Sequence, residues 1–347
     1  SGPALGQGLG TVFNGFTLAQ MTAVAGYGSY ESCFSWDKTF ANVITATGSC
    51  DPSILVSLQW NPVTNSGVKC SATEQNVNEL GIDPRTGFAR SPLDNVGVQY
   101  GLAALDAGQI TPAQFAALNA GIGGYDVAGN RVAQRTQADP LALAEAYRDD
   151  LVLSGAQGLR VTPIIDMRDY LDAAGFGNDI HTTSWSFVIR QRLEQAGAGA
   201  SQVIIESGFD PATRAQASAF ELAEMDRWLD AITSDPSHRP LELKVRMDKP
   251  ANLSDGCFLD GTFVAETLTY GGHGPCESQF PAFADPRLVA GEPLAENVLK
   301  CQLRPLDFRD YPVSFTAADQ AELRTAFPTG VCDYQLPGIG QQPPQGT

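Results

Sequence analysis

Two short, nearly all-apolar runs constrain this chain more than any other feature. They are 161–166 (Val-Thr-Pro-Ile-Ile-Asp) and 202–206 (Gln-Val-Ile-Ile-Glu). Runs this short, without polar alternation, read as strands buried on both faces. A polar, Gly-containing loop to residue 183 and a helical stretch, 184–196, separate them. After the second run, Asp210-Pro211 opens a long helix to about 232, with Asp as cap and Pro at the first helical position. Strand, loop, helix, strand, helix is the unit of a parallel α/β sheet. Two strands cannot bury both faces and leave two open edges, so the rest of the sheet is expected to lie elsewhere.

The flanks have a different rhythm. Stretches 17–25, 36–43, 71–80, 96–105, 112–120 and 140–152 read as helices, the last two introduced by Thr111-Pro112 and Asp139-Pro140, with Gly121 past the end of the former. Residues 241–246 alternate and read as one more strand, whereas 250–310 read as Cys-stapled loop. Thr316 with Asp319 forms a capping box for a helix ending near 327, and the Pro/Gln/Gly-rich tail 341–347 reads as disordered. The expected organisation is a helical region over 1–157, α/β core over 158–247, and a Cys-rich extension with a tail over 248–347.

Seven cysteines fall in two groups, Cys33, Cys50 and Cys70 before a long Cys-free middle and Cys257, Cys276, Cys301 and Cys332 after it. None makes a CxxC and the chain has only 3 His, which speaks against a zinc site. Local pairing joins Cys33 to Cys50, Cys257 to Cys276 and Cys301 to Cys332, each loop contributing roughly 3 kcal/mol by closure entropy. Cys70 is then left over, free or paired outside the chain. Residue 1 opens as Ser1-Gly2-Pro3 without the charged and apolar regions of a signal peptide, so the sequence reads as a mature form or a fragment.

The formal charge is −17. A chain this acidic lacks the clustered cations that a nucleic-acid duplex or an anionic membrane surface requires. No apolar stretch approaches the ~20 residues needed to span a bilayer. Acidity, cysteine pairs and a Lys-poor composition point to a secreted or periplasmic protein.

Ligands of open α/β sheets sit at the carboxyl ends of the strands. After the first run stand Asp166, Asp169 and Asp172, then Asn178, Asp179 and His181. An Asp orienting a His that acts as general base is the usual use of such residues. The alternative is structural: Asp166 caps a turn, Asp169 and Asp172 are solvated, and His181 lies at the surface. A G-x-S-x-G elbow is missing. Ser29 has no preceding strand, and Ser207 is flanked two residues away by the bulky Ile205 and Phe209. His273, among glycines, and His238, beside a proline loop, read as loop residues. Asn252-Leu253-Ser254 is a formal glycosylation sequon. Phosphate-loop, dinucleotide, HExxH and EF-hand patterns do not occur, and no cofactor is expected.

Several blocks carry a resemblance. They are 91–102 (Ser-Pro-Leu-Asp-Asn-Val-Gly-Val-Gln-Tyr-Gly-Leu), 122–126 (Ile-Gly-Gly-Tyr-Asp), 163–166 (Pro-Ile-Ile-Asp), 177–181 (Gly-Asn-Asp-Ile-His), 298–303 (Val-Leu-Lys-Cys-Gln-Leu) and 327–334 (Phe-Pro-Thr-Gly-Val-Cys-Asp-Tyr). Together they resemble a tannase-like family of secreted bacterial proteins with an α/β-hydrolase core and no assigned function. Members of that family are longer at the N-terminus and carry a Gly-Gly-Ser-Gly-Gly type elbow there. The resemblance implies that this chain is the C-terminal part of such a protein: a partial α/β-hydrolase-like parallel sheet, a helical cap and a disulfide-bonded C-terminal extension. It also implies a general base at His181, with Asp172 or Asp166 as its acid partner. The usual position of the base, after the last strand, holds 207–210 (Ser-Gly-Phe-Asp) instead.

The expected function is therefore that of a serine-type hydrolase cleaving ester or amide bonds of a small molecule or polymer. Its serine lies outside this chain, and its partner is the N-terminal half of the same protein. The competing expectations are a non-catalytic extracellular binding or structural protein on a degenerate hydrolase fold, and a glycosidase using two of Asp166, Asp169 and Asp172.

Overall fold

The two apolar runs form adjacent parallel strands, β1 (Ile164–Asp169) and β2 (Gln202–Ser207), in register from Ile164 opposite Gln202 to Asp169 opposite Ser207. The first starts at Ile164 because Gln157–Val161 winds as a 3₁₀ turn and Pro163 has no N–H to give to a ladder. All six residues of β2 are buried. The computed structural model describes residues 13–172 and 180–344, so Asn178, Asp179 and the last three residues of the expected disordered tail lie outside the described residues.

The sheet has four strands. A third parallel strand, β3 (Gly256–Leu259), pairs with β2, and β4 (Thr262–Ala265) returns antiparallel beside it. Both come from the segment expected to be loop. Asp260 and Gly261 turn this hairpin with φ of 48° and 74°. An Asp-Gly pair at positive φ is the turn whose twist matches two antiparallel strands. The fold is thus α/β, a mixed sheet with helices, and half of the sheet came from a region that reads as irregular.

One face of the sheet is apolar. Ile165, Val203, Ile205 and Phe258 pack with Ala217 and Trp228 of the helix Pro211–Ser234, and with Val245 and Leu253. Trp228 is fully buried and donates its indole N–H to the Val245 carbonyl at 2.8 Å. Val245 belongs to a helix, Leu241–Met247, where alternation predicted a strand. Of the alternating apolar residues only Val245 is buried, while Leu241 and Met247 are exposed. Glu242 in the first turn, with Lys244 and Arg246 in the last, suits the helix dipole instead.

Two compact units divide the chain. Leu153–Ala284 forms one, around this sheet; the other runs to residue 152 and resumes at Asp285. The second unit is largely helical. Thr17, Thr111 and Thr316 each cap a helix with a reciprocal bond to the residue three further on, and Asp139 caps Pro140–Arg148. Phe115, Leu105, Leu118 and Leu323 form its fully buried centre. Four of the blocks behind the resemblance meet here. Asn95 donates to the Gly123 carbonyl at 2.9 Å, Cys332 donates to the Gly97 carbonyl at 3.0 Å, and Asp94 is ion-paired with Lys300. Gly97 has φ 82°, and a Cβ there would stand 2.4 Å from a Leu303 methyl, so glycine is required twice over.

Cys257–Cys276 and Cys301–Cys332 are bonded as expected. The third bridge differs: Cys50 joins Cys70, with Cα atoms 4.9 Å apart, and Cys33 is the free thiol. Cys70 N–H pairs with the Ala46 carbonyl at 2.8 Å and so lies beside the 46–50 turn. Cys33, on the helix Glu31–Phe40, packs instead toward the apolar centre. Burial pushes its thiol up to about 11. Peptide mapping without reductant is expected to return Cys50–Cys70 as one linked species, with Cys33 alkylated slowly because little thiolate forms. A Cys33–Cys50 link would overturn this pairing.

Candidate functional site

The carboxyl ends of β1, β2 and β3 lie at one end of the sheet, and the side chains around them sort by strand alternation. On the face opposite the Trp228 layer, Asp166 pairs with Arg168 at 3.2 Å and accepts the Gln202 amide at 3.0 Å. Arg168 donates to the Ser186 hydroxyl at 2.7 Å. Asp169 points to the other face, where it pairs with Arg214 at 2.8 Å and accepts the Ser207 hydroxyl at 3.2 Å. Asp166 and Asp169 therefore do not face each other as a glycosidase dyad must. Ser207 is fully buried and engaged by Asp169.

Asp172 lies three residues beyond β1 and is buried. Its carboxylate accepts the Thr183 N–H at 2.9 and 3.0 Å and the Thr183 hydroxyl at 3.3 Å. Thr183 immediately precedes the helix Ser184–Gln195, so Asp172 anchors the start of that helix to the end of β1. His181 stands two residues before Thr183 and is exposed. Of the three residues singled out as catalytic, Asp172 and His181 are thus tied to one turn, whereas Asp166 is engaged on the sheet face.

Glu206 was not singled out. It lies on β2 opposite Arg168 and Cys257, is 1 % exposed, and neither carboxylate oxygen has a hydrogen-bond partner among the described residues. Its surroundings are acidic. Burial first, then the charges of Glu277, Asp172, Glu266 and Asp255, push its carboxyl up to about 8. Most of those neighbouring oxygens are engaged elsewhere, Oε1 of Glu266 excepted. Glu277 accepts the Thr269 and Gly274 N–H groups, Glu266 accepts the Cys276 N–H at 2.9 Å, and Asp255 accepts Arg190 at 2.9 Å and the Ile204 N–H at 2.9 Å. At neutral pH Glu206 accordingly holds a proton. Tyr170 is raised above the ordinary phenol range by burial, then by Asp172 and Glu206, and donates its hydroxyl to the Pro281 carbonyl at 2.8 Å. The sequence did carry a signal for Glu206: an acid directly after three β-branched core residues, Val203, Ile204 and Ile205.

The arrangement supplies an exposed imidazole on an anchored turn, a buried carboxylate as the anchor, and a protonated buried acid. Among the described residues no group of three His, Cys, Asp or Glu is placed to hold a metal ion.

A family model described as a tannase-like family of unknown function matches residues 7–343. A match of that extent does not bear out the expectation that the chain corresponds to the C-terminal part alone. No curated protein and no solved structure matches the chain. The chain belongs to this tannase-like family of unknown function.

Proposed function

We propose that the protein is a secreted serine-type hydrolase of ester bonds whose acid–base group is His181. Membership of a tannase-like family supports a hydrolase type. The observation that carries it is the anchoring of Thr183 on buried Asp172. It fixes the His181 turn beyond the carboxyl end of β1, where α/β proteins place their chemistry, and leaves the imidazole within reach of water and substrate. In this reading His181 takes the proton of the attacking serine hydroxyl and returns it to the leaving alcohol. Asp172 positions the turn. Asp166, held by Arg168 and Gln202, serves the sheet. Three disulfides suit the oxidising compartment that secretion implies.

The attacking serine is not Ser207, and labelling locates it. Protein as its host produces it is treated with a fluorophosphonate, and the adduct is mapped by mass spectrometry. Esters of p-nitrophenol report turnover. His181→Ala is expected to lower kcat/KM by about 10²–10⁴-fold, the usual contribution of a general base. Full activity in that variant overturns the role of His181. If no serine is labelled and no ester is cleaved, the non-catalytic binding protein replaces this reading.

A further inference from the structure

The unit that resumes at Asp285 contains a cavity of ≈ 230 Å³ that the hydrolase reading does not use. Four aromatic residues line it, Phe13, Tyr30, Tyr100 and Tyr125, together with Cys33, the free cysteine, and Arg131. Tyr100, Tyr125, Cys33 and Arg131 are all half-buried, so the cavity communicates with its surroundings. Arg131 is the chemically distinctive wall. Its Nη2 donates to the carbonyls of Ile122 at 2.9 Å and Gly121 at 3.4 Å, and no carboxylate forms an ion pair with it among the described residues. This is notable in a chain where most described arginines pair with an Asp or Glu. The Tyr125 hydroxyl also interacts with Arg131 through charge and a hydrogen bond, and lies in the field of Asp37.

An apolar cavity walled by rings forgoes packing contacts at each wall when it holds nothing. Ligand sites have this makeup, a mainly apolar lining with one or two polar groups that fix orientation. Volume limits the occupant. A cavity of ~150 Å³ takes a benzene ring, so this one takes a single ring with a short substituent, or a chain of about six carbons. A guanidinium without its own carboxylate selects the polar end, because planar anions bind it by parallel N–H bonds.

We propose that this cavity is a binding site for a small monocarboxylate with an apolar body, its carboxylate on Arg131 and its body among the four rings. The proposal does not depend on His181 or on the hydrolase reading.

Cys33 makes the site testable in the full chain. Its modification by a small neutral thiol reagent is followed with and without phenylacetate or hexanoate, and binding is measured by calorimetry. Saturable 1:1 binding and slower Cys33 modification are expected. The matching neutral amides, phenylacetamide and hexanamide, are expected to bind at least about tenfold more weakly. The ring and chain probes show which body fits. Arg131→Gln is expected to erase the acid-over-amide preference, and Arg131→Lys to retain part of it. Equal binding of acid and amide by the unsubstituted protein overturns the assignment of Arg131. Failure of every carboxylate to protect Cys33 overturns the site. Because both comparisons use the unsubstituted chain, misfolding of a variant leaves the proposal falsifiable.

Discussion

Replacing Asp94 by alanine is expected to destabilise the unit that holds it by about 3–5 kcal/mol, the cost of breaking a buried ion pair from one side. Asp94 is 7 % exposed and its carboxylate has three partners. It accepts the Val96 N–H at 2.9 Å, the Ala138 N–H at 2.9 Å and the Lys300 ammonium. Alanine leaves two backbone donors and a largely buried cation without their acceptor. Urea unfolding should show the loss as a lower midpoint for the transition of this unit. Lys300→Met is expected to cost a similar amount, and the double substitution less than the sum, because the second change removes the orphan the first one leaves. A loss below about 1 kcal/mol for Asp94→Ala would show that the pair does not join 91–102 to 298–303 as described.

Glu206→Gln is expected to raise stability slightly at pH 5 and by several times more at pH 8. Burial and acidic neighbours raise the folded-state carboxyl to about 8, far above the roughly 4.3 of an unfolded chain. Between those values the folded protein keeps a proton that the unfolded chain has released. Stability from this group is therefore complete below the unfolded value and is lost as pH rises through the folded one. The expected slope is on the order of 1 kcal/mol per pH unit across that window. Glutamine is a neutral isostere that does not titrate, so the difference between the two proteins isolates the slope. Thermal melts at pH 5, 6, 7 and 8 measure it. Parallel curves for the two proteins would mean that Glu206 has a partner or is hydrated.

The parts of the fold that were legible are those whose signals span a few residues. Thr17, Thr111, Asp139, Asp210 and Thr316 each accept an N–H two or three positions ahead, and each reads directly as a helix start. The apolar runs became β1 and β2 because a strand buried on both faces needs no long-range information to be noticed. Asp260-Gly261 was equally local, yet it was submerged in a stretch dominated by cysteine, glycine and proline. Alternation at 241–246 misled, since a period of two has meaning only when one face is covered, and here only Val245 is.

For the candidate site, chain order placed Asp172 and His181 after a strand, but that Asp172 holds Thr183 was not legible there. The absence of any partner for Glu206 could not be read in the same way, because it depends on what Glu266, Glu277 and Asp255 do with their own oxygens. The cysteines show the division most plainly. Cys50 had neighbours at similar distance on both sides, and closure entropy, growing only with the logarithm of loop length, does not separate loops of 17 and 20 residues. The sequence by itself determined the helix caps, the strands β1 and β2 and the two C-terminal bridges, because each rests on residues near one another in the chain. Only the tertiary structure decided which thiol stays free, which acid stays unpaired and which residues line a cavity together with Arg131. Those outcomes depend on packing between segments far apart in the chain, which no local pattern encodes.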